Sequence, residues 1–341
     1  MCFSYPGQTT TTPGNAKGLM RKHLLVVAVI LTTGTGCDNV EFGGIQIAMQ
    51  SPEPAERSTV ADVDTSATTG PVNVHEPLLL AGVRDGARGR FVVVGEVHPD
   101  ALRPFPDPRF ADDADRIAEL AAPGTEWAVF SEGVRVGRLI VESSGMAIGF
   151  CGSRTEINGV VELVATAADA ERLLAMPASA VDQVYEEYRA ISHVYDQRVA
   201  TLTIAGDAIP RYGARWPELG TLDARDHLQA FQLRNTPGES VAATFLIDDQ
   251  LQVGAPGQRA YSLFVMGHQG DAGYTEAYSW YHDAATVGKA APRYFDHLDW
   301  DGDGADEILL DVFGNDQRWF AALSRSEDRW VRSYQDSCGN T

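Results

Sequence analysis

The sequence predicts an α+β protein, an N-terminal α+β unit followed by an antiparallel β-rich unit built as a sandwich or partial propeller-like sheet. Two observations carry that reading. A helical stripe runs through Val181, Val184, Tyr185, Tyr188, Ile191, Val194, Tyr195 and Val199, at i, i+3, i+4, i+7 spacing, with Glu186, Glu187 and Gln197 outside it. After Leu222 the texture changes to short apolar runs punctuated by Gly, Asp, Asn and Ser, the pattern of closely spaced strands.

The elements follow in order. Phe91–Val94 reads as a strand, and the stretch from Asp107 to Pro123, with its acidic start and its Ile117, Leu120, Ala121 stripe, as a short helix. Trp127 to Val141 has strand residues on both sides of Ser131-Glu132-Gly133 and predicts a β-hairpin. Ala147–Phe150 and Val160–Ala165 are further strand candidates, and the tyrosine stripe predicts a helix from Ser179 to Val199 that packs on the core. Strands are then expected at Ala242–Ile247, Tyr261–Met266, Tyr274–Tyr281, Arg293–Leu298, Ile308–Phe313, Trp319–Ser324 and Trp330–Tyr334. These expectations divide the chain into a leader and signal (1–37), a linker (38–74), an α+β domain (75–205) and a β-rich domain (206–341).

Composition is that of a globular chain rather than a disordered one: 44% of the 341 residues are hydrophobic and 22% charged. The formal net charge is −20, and residues 1–36 contribute only basic groups, Lys17, Arg21 and Lys22. A body this acidic repels nucleic acid and anionic headgroups and favours divalent cations and basic partners. From Asp38 to about Val74 the chain is rich in Ser, Thr, Pro, Ala and acids. Such a segment buries too little surface to offset its ordering entropy and reads as a tether.

From Met20 the sequence reads MRKHLLVVAVILTTGTGC. Arg21, Lys22 and His23 precede an apolar run, Leu24–Leu31, that is far shorter than the roughly 20 residues of a spanning helix. Small residues then lead to Cys37. The segment resembles the lipobox of bacterial lipoproteins, with Gly34 where that family prefers Leu. The resemblance implies diacylation of the Cys37 thiol, cleavage before it, and a membrane partner reached through that lipid, at the periplasmic or outer cell surface. An ordinary secretory signal is the alternative.

With Cys2 in the leader and Cys37 as anchor, Cys151 and Cys338 remain as the cysteines of the body. In an oxidising compartment a Cys151–Cys338 disulfide is the default, with free thiols or a reactive Cys151 as alternatives.

Residues 299–307 read DWDGDGADE. Asp299, Asp301, Asp303 and Glu307, with the carbonyl of Ala305, can converge on one hard cation, and Gly302 and Gly304 allow the turn. Position 12 of the loop is Leu310, where an EF-hand needs Glu, and the flanks read as strands. The segment resembles instead the calcium loop of FG-GAP and VCBS-type repeats, over Arg293 to Phe313. That resemblance implies Ca²⁺ bound in a loop joining two strands, here present once. Asp306, at position 8, is expected to point away.

Glu96-Val97-His98 follows a predicted strand and faintly resembles the GExH segment of the haem-binding and Tiki-type hydrolases, which pair it with a later Gly/His element. Gly267-His268 is the candidate here. Nothing matches a nucleophile elbow, zinc helix, phosphate loop or dinucleotide fingerprint. The leading expectation is a non-catalytic binding or scaffolding module, with a protein or carbohydrate ligand, stabilised by calcium and a disulfide. The alternative is an extracytoplasmic metal-dependent hydrolase using Glu96, His98 and His268.

Overall fold

A computed structural model describes residues 76–105, 113–181 and 185–340. Its first part is a β-barrel. Strands β1 (Leu78–Asp85), β2 (Arg88–Val97) and β3 (Leu102–Arg103) precede a short helix α1 (Asp113–Leu120). Strands β4 (Glu126–Ser131), β5 (Val134–Met146), β6 (Thr155–Leu163) and β7 (Arg172–Pro177) complete it. The order β1-β7-β4-β5-β6-β2 closes on itself because β1 also pairs with β2, and β3 extends the rim. All pairs are antiparallel, and closure leaves the six-stranded ring without open edges.

The residues explain the closure. On each strand alternate side chains enter the barrel: Leu78 and Leu80, Phe91 and Val93, Trp127 and Val129, Leu139 and Val141, Ile157 and Val161, Leu173 and Ala175 form one buried cluster. Their neighbours Leu79, Val92, Val94, Ala128, Leu174 and Met176 face outward yet are also buried. Strands covered on both faces read as continuous apolar runs rather than alternating ones, which is why Leu78–Ala81 and Phe91–Val94 show no period of two.

What buries the outer face is a second sheet. Helix α2 (Tyr195–Arg211) leads into the meander β8 (Arg225–Phe231), β9 (Ser240–Ile247), β10 (Tyr261–Gly270) and β11 (Gly273–Asp283). A second meander follows: β12 (Ala291–Leu298), β13 (Glu307–Phe313), β14 (Arg318–Ser326) and β15 (Arg329–Gln335). Phe295, Leu309, Phe320 and Tyr334 of β12–β15 pack on the barrel. The opposite face of that sheet, with Tyr294, Ile308, Leu310 and Trp319, packs on Phe231, Phe264 and Met266 of β8–β11. The far face of β8–β11 buries Phe245, Leu263 and Val265 under Ile204, Ala205, Ala208 and Ile209 of α2. Barrel, sheet, sheet and helix therefore stack as successive layers. Each fully buried Leu or Phe contributes roughly 1.5–3 kcal/mol of transfer free energy.

This architecture corrects the α+β expectation: the N-terminal part is a barrel of antiparallel strands with one short helix, not an α+β unit. Position 205 lies inside α2, whose buried face joins it to β8–β11. The helix expected at Ser179–Val199 is also displaced. Residues 185–194 are irregular, and the helix occupies Tyr195–Arg211. Tyr185 is 48% exposed and Tyr195 76%, so the tyrosine stripe is not a core face. Tertiary contacts hold the irregular segment instead. Tyr185 lies over the Arg135 guanidinium, Glu186 pairs with Arg234 at 3.2 Å, and Tyr188 packs on the barrel cluster. The real helix buries Gln197, Thr201, Ile204, Ala205, Ala208 and Ile209, a stripe whose polar and small members dilute its hydrophobic signal. Its start is closed by Gln197, whose Oε1 accepts the Val194 N–H at 2.6 Å.

Ala147–Phe150 is likewise no strand. It forms a single bridge, Phe150 to Arg318, which ties the barrel to β14. Beside it the Cys151–Cys338 disulfide links the β5–β6 connection to the segment after β15, with Cα atoms 6.0 Å apart. The hairpin at Ser131-Glu132-Gly133 is as expected, with Glu132 and Gly133 both at positive φ (50° and 74°) as a two-residue turn of this hand requires. All seven strands expected after Leu222 are present, together with β8.

Candidate metal centre and adjoining cleft

Strands β12 and β13 pair in antiparallel register, ending at Leu298 opposite Glu307, and the acidic loop spans the eight positions between them. Gly302 and Gly304 stand at φ 79° and 91°, a region that costs other residues strain, so the turn depends on them. The carboxylates organise the loop backbone. Asp299 accepts the N–H groups of Gly302 (2.8 Å) and Gly304 (3.0 Å), Asp301 that of Asp303 (3.1 Å), and Asp303 that of Ala305 (2.7 Å). Trp300 turns inward and is buried in the barrel-facing core, which anchors the loop between two of its acids.

Asp299, Asp301 and Glu307 each bring an oxygen within 4.8 Å of the others, and they are the metal-competent group of three or more among the described residues. Asp303 is exposed and stands outside this triad. Ala305 is half-buried, held by its N–H bond to Asp303. The electrostatics fit a cation. Burial, with the charges of Asp301 and Asp303 adding to it, pushes the Glu307 carboxyl up to about 9, and burial raises Asp301 as well. Carboxyl groups this close repel one another, and an all-oxygen donor set suits a hard divalent ion. Arg234 approaches Asp299 Oδ2 to 3.7 Å from one side and is 38% exposed, too wet to neutralise the group.

Asp306 lies outside the triad and turns into the protein: it is 3% exposed, and its Oδ2 accepts the backbone N–H of Arg234. It ties the start of β13 to the segment after β8. The ligand spacing at positions 1, 3, 5, 7 and 9 gives no sign of this tie, because it leaves position 8 without a role.

The loop forms one wall of a cleft of about 660 Å³ that opens between it and the barrel, lined among others by His98, Arg135, Met176, Arg234, Asp299 and Asp301. His98 is thus near the acidic loop, bonded to Glu96 at 2.9 Å. Burial pushes the Glu96 carboxyl up, yet Arg116 and His98 together hold it below its ordinary value. His268 does not join them. It sits on β10, with Nδ1 on Ser240 Oγ (2.8 Å) and Nε2 accepting from Trp330 (2.8 Å). Burial first, and then Arg325, push it down to about 4, so it is a neutral imidazole with both nitrogens occupied. It has no free nitrogen for a metal.

Cys37, the signal and the 38–74 tether lie outside the described residues. Among the described residues no helix is long and apolar enough to cross a membrane. No family model, curated protein or solved structure matches the chain.

Proposed function

We propose that the chain is an exported, lipid-anchored binding module whose β12–β13 hairpin is clamped by one calcium ion beside its ligand cleft. The observation that carries this reading is the convergence of Asp299, Asp301 and Glu307, the first two of which line the cleft. Calcium is preferred to magnesium because the donors are protein oxygens on a glycine-containing turn, which suits flexible coordination better than a strict octahedron. Its role is to neutralise the triad and fix the hairpin, and through it the cleft. Protein and carbohydrate ligands both suit a cleft that mixes Arg135, Arg234 and His98 with the apolar Met176 and Val181. The hydrolase reading has no support in the geometry, because its second histidine is bonded into another interface.

Two experiments test the parts separately. Calcium titrated into the full chain should bind at one site, and Asp301→Ala should abolish that binding. For the address, Cys37→Ala should lose metabolic lipid labelling and leave the membrane fraction. Unchanged labelling and fractionation of that variant would remove the anchor from the proposal and leave the calcium site standing.

A further inference from the structure

The β4–β5 turn carries a second polar site that local sequence gives no hint of. Glu132 occupies the turn at φ 50°, a conformation uncommon for a residue with a side chain. Across from it stands Asp296 of β12, 3% exposed. Asp296 Oδ1 accepts two backbone N–H groups, those of Glu132 (3.0 Å) and His297 (2.8 Å). Its other oxygen, Oδ2, is buried and has no hydrogen-bond partner. Glu132 repeats the pattern: Oε1 accepts from Gln229 Nε2 at 3.2 Å, and Oε2 is buried without a partner. Both residues line one cavity of about 280 Å³, with Tyr188 and Arg172 on its walls.

Two buried carboxyl oxygens without donors are costly unless something supplies the donors. Arg172 directs Nη1 at His227 Nε2, 3.4 Å away. Asp169 and Glu171, both exposed, add two further acids to the lining. The lining therefore holds four carboxyls and a single guanidinium, with Tyr188, Tyr294 and Phe295 among the residues that bound it. Acids at the mouth and acceptor oxygens within draw in a positive group, and aromatic walls suit an alkyl stem or a cation. A divalent metal would need a third ligating side chain, and this cluster does not supply one among the described residues.

We infer that Glu132 and Asp296 form a binding site for an alkylammonium group, carried either by a free amine or by a lysine side chain. The ammonium presents three donors and a charge to the two open oxygens, and its stem lies along Tyr188. The site is separate from the calcium loop and does not rest on it. The protonation balance agrees. Burial, opposed by Arg172, holds Glu132 up at about 7, and burial with the Glu132 charge raises Asp296. His297, whose Nδ1 lies 3.8 Å from Asp296 Oδ1, and Arg172, Arg293, Asp169, Glu171, Tyr188, Tyr294 and His227 are titratable groups around the pair. Without a cation the pair retains a proton at neutral pH, and binding releases it.

Calorimetric titration of the full chain with n-butylammonium, with a blocked Gly-Lys-Gly peptide and with n-butanol tests this. The cation in at least one of the first two forms should bind, with a heat that varies with the buffer's ionisation enthalpy, and butanol should not. Tighter binding of the peptide points to a protein partner, and tighter binding of butylammonium to a free amine. Asp296→Asn keeps an oxygen for the two backbone N–H groups and should weaken binding at least tenfold. Glu132→Gln should do the same, with thermal midpoints reporting that both variants fold. Absence of binding by both cations, butanol binding equally well, or folded variants that bind like the wild type would overturn the proposal.

Discussion

Replacing Arg154 with methionine is expected to destabilise the fold by about 3–5 kcal/mol, the range for breaking a buried ion pair from one side. Arg154 is 6% exposed and joins the barrel to the sheet behind it. Its Nη1 donates to the carbonyls of Val93 (2.6 Å) and Val94 (2.7 Å), its Nε to that of Cys151 (3.0 Å), and its Nη2 pairs with Asp336. Asp336 is itself buried, accepts the Phe320 N–H at 2.8 Å and takes the Tyr334 hydroxyl. Methionine preserves much of the volume and removes every donor, leaving a buried carboxylate and three carbonyls short of partners. Adding Asp336→Asn should recover part of the loss, because the orphaned charge is then gone. Urea unfolding of the single and double variants measures both. A single-variant loss below about 1 kcal/mol would mean that water already reaches this pair.

Removing the disulfide should cost a similar amount. Cys151 and Cys338 are 187 positions apart, and the chain-entropy model gives about 5 kcal/mol for a loop of that length, an upper figure when the reduced chain retains structure. The bridge closes the long loop from Cys151 to Cys338 and leaves β1 to β5 outside it, so its loss should act on the unfolded state more than on native contacts. The Cys151→Ala, Cys338→Ala double variant should therefore keep its native spectrum, unfold at lower urea, and show a larger m-value as its unfolded chain expands. An unchanged midpoint would contradict this, as would free alkylation of both thiols in the unreduced protein.

Legibility in the sequence tracked the range of the interactions. The acidic loop was readable because its ligands, glycines and flanking strands all fall within one hairpin. The β-meanders after Leu222 were readable because Gly, Asp and Asn mark each reversal. The barrel was not. Its closure depends on β1 pairing with both β2 and β7, as in Leu80 opposite Ala175, and nothing local encodes a partner that distant. Strand β7, Leu-Leu-Ala-Met, is too short and too rich in helix formers to declare itself. The helix was misplaced for the converse reason. The tyrosines follow a helical period by sequence, yet Tyr188 is claimed by the barrel and Tyr185 by Arg135, while the actual helix buries two isoleucines among alanine, threonine and glutamine. Asp296 and Glu132, which meet across 164 positions, could not have been paired by any pattern along the chain.

Thermal melts of the chain with calcium and with a chelator test the proposed calcium clamp in the β12–β13 loop. The wild-type midpoint should rise with free calcium by mass action, by about 2.7 kcal/mol of stability at a hundred times the dissociation constant. Asp301→Ala should lose that gain and, relieved of one repelling charge, be little affected in chelator. Asp306→Ala should lose stability equally in both conditions, because its carboxylate holds the Arg234 N–H rather than an ion. A wild-type midpoint indifferent to calcium would contradict the clamp and leave the loop an acidic turn.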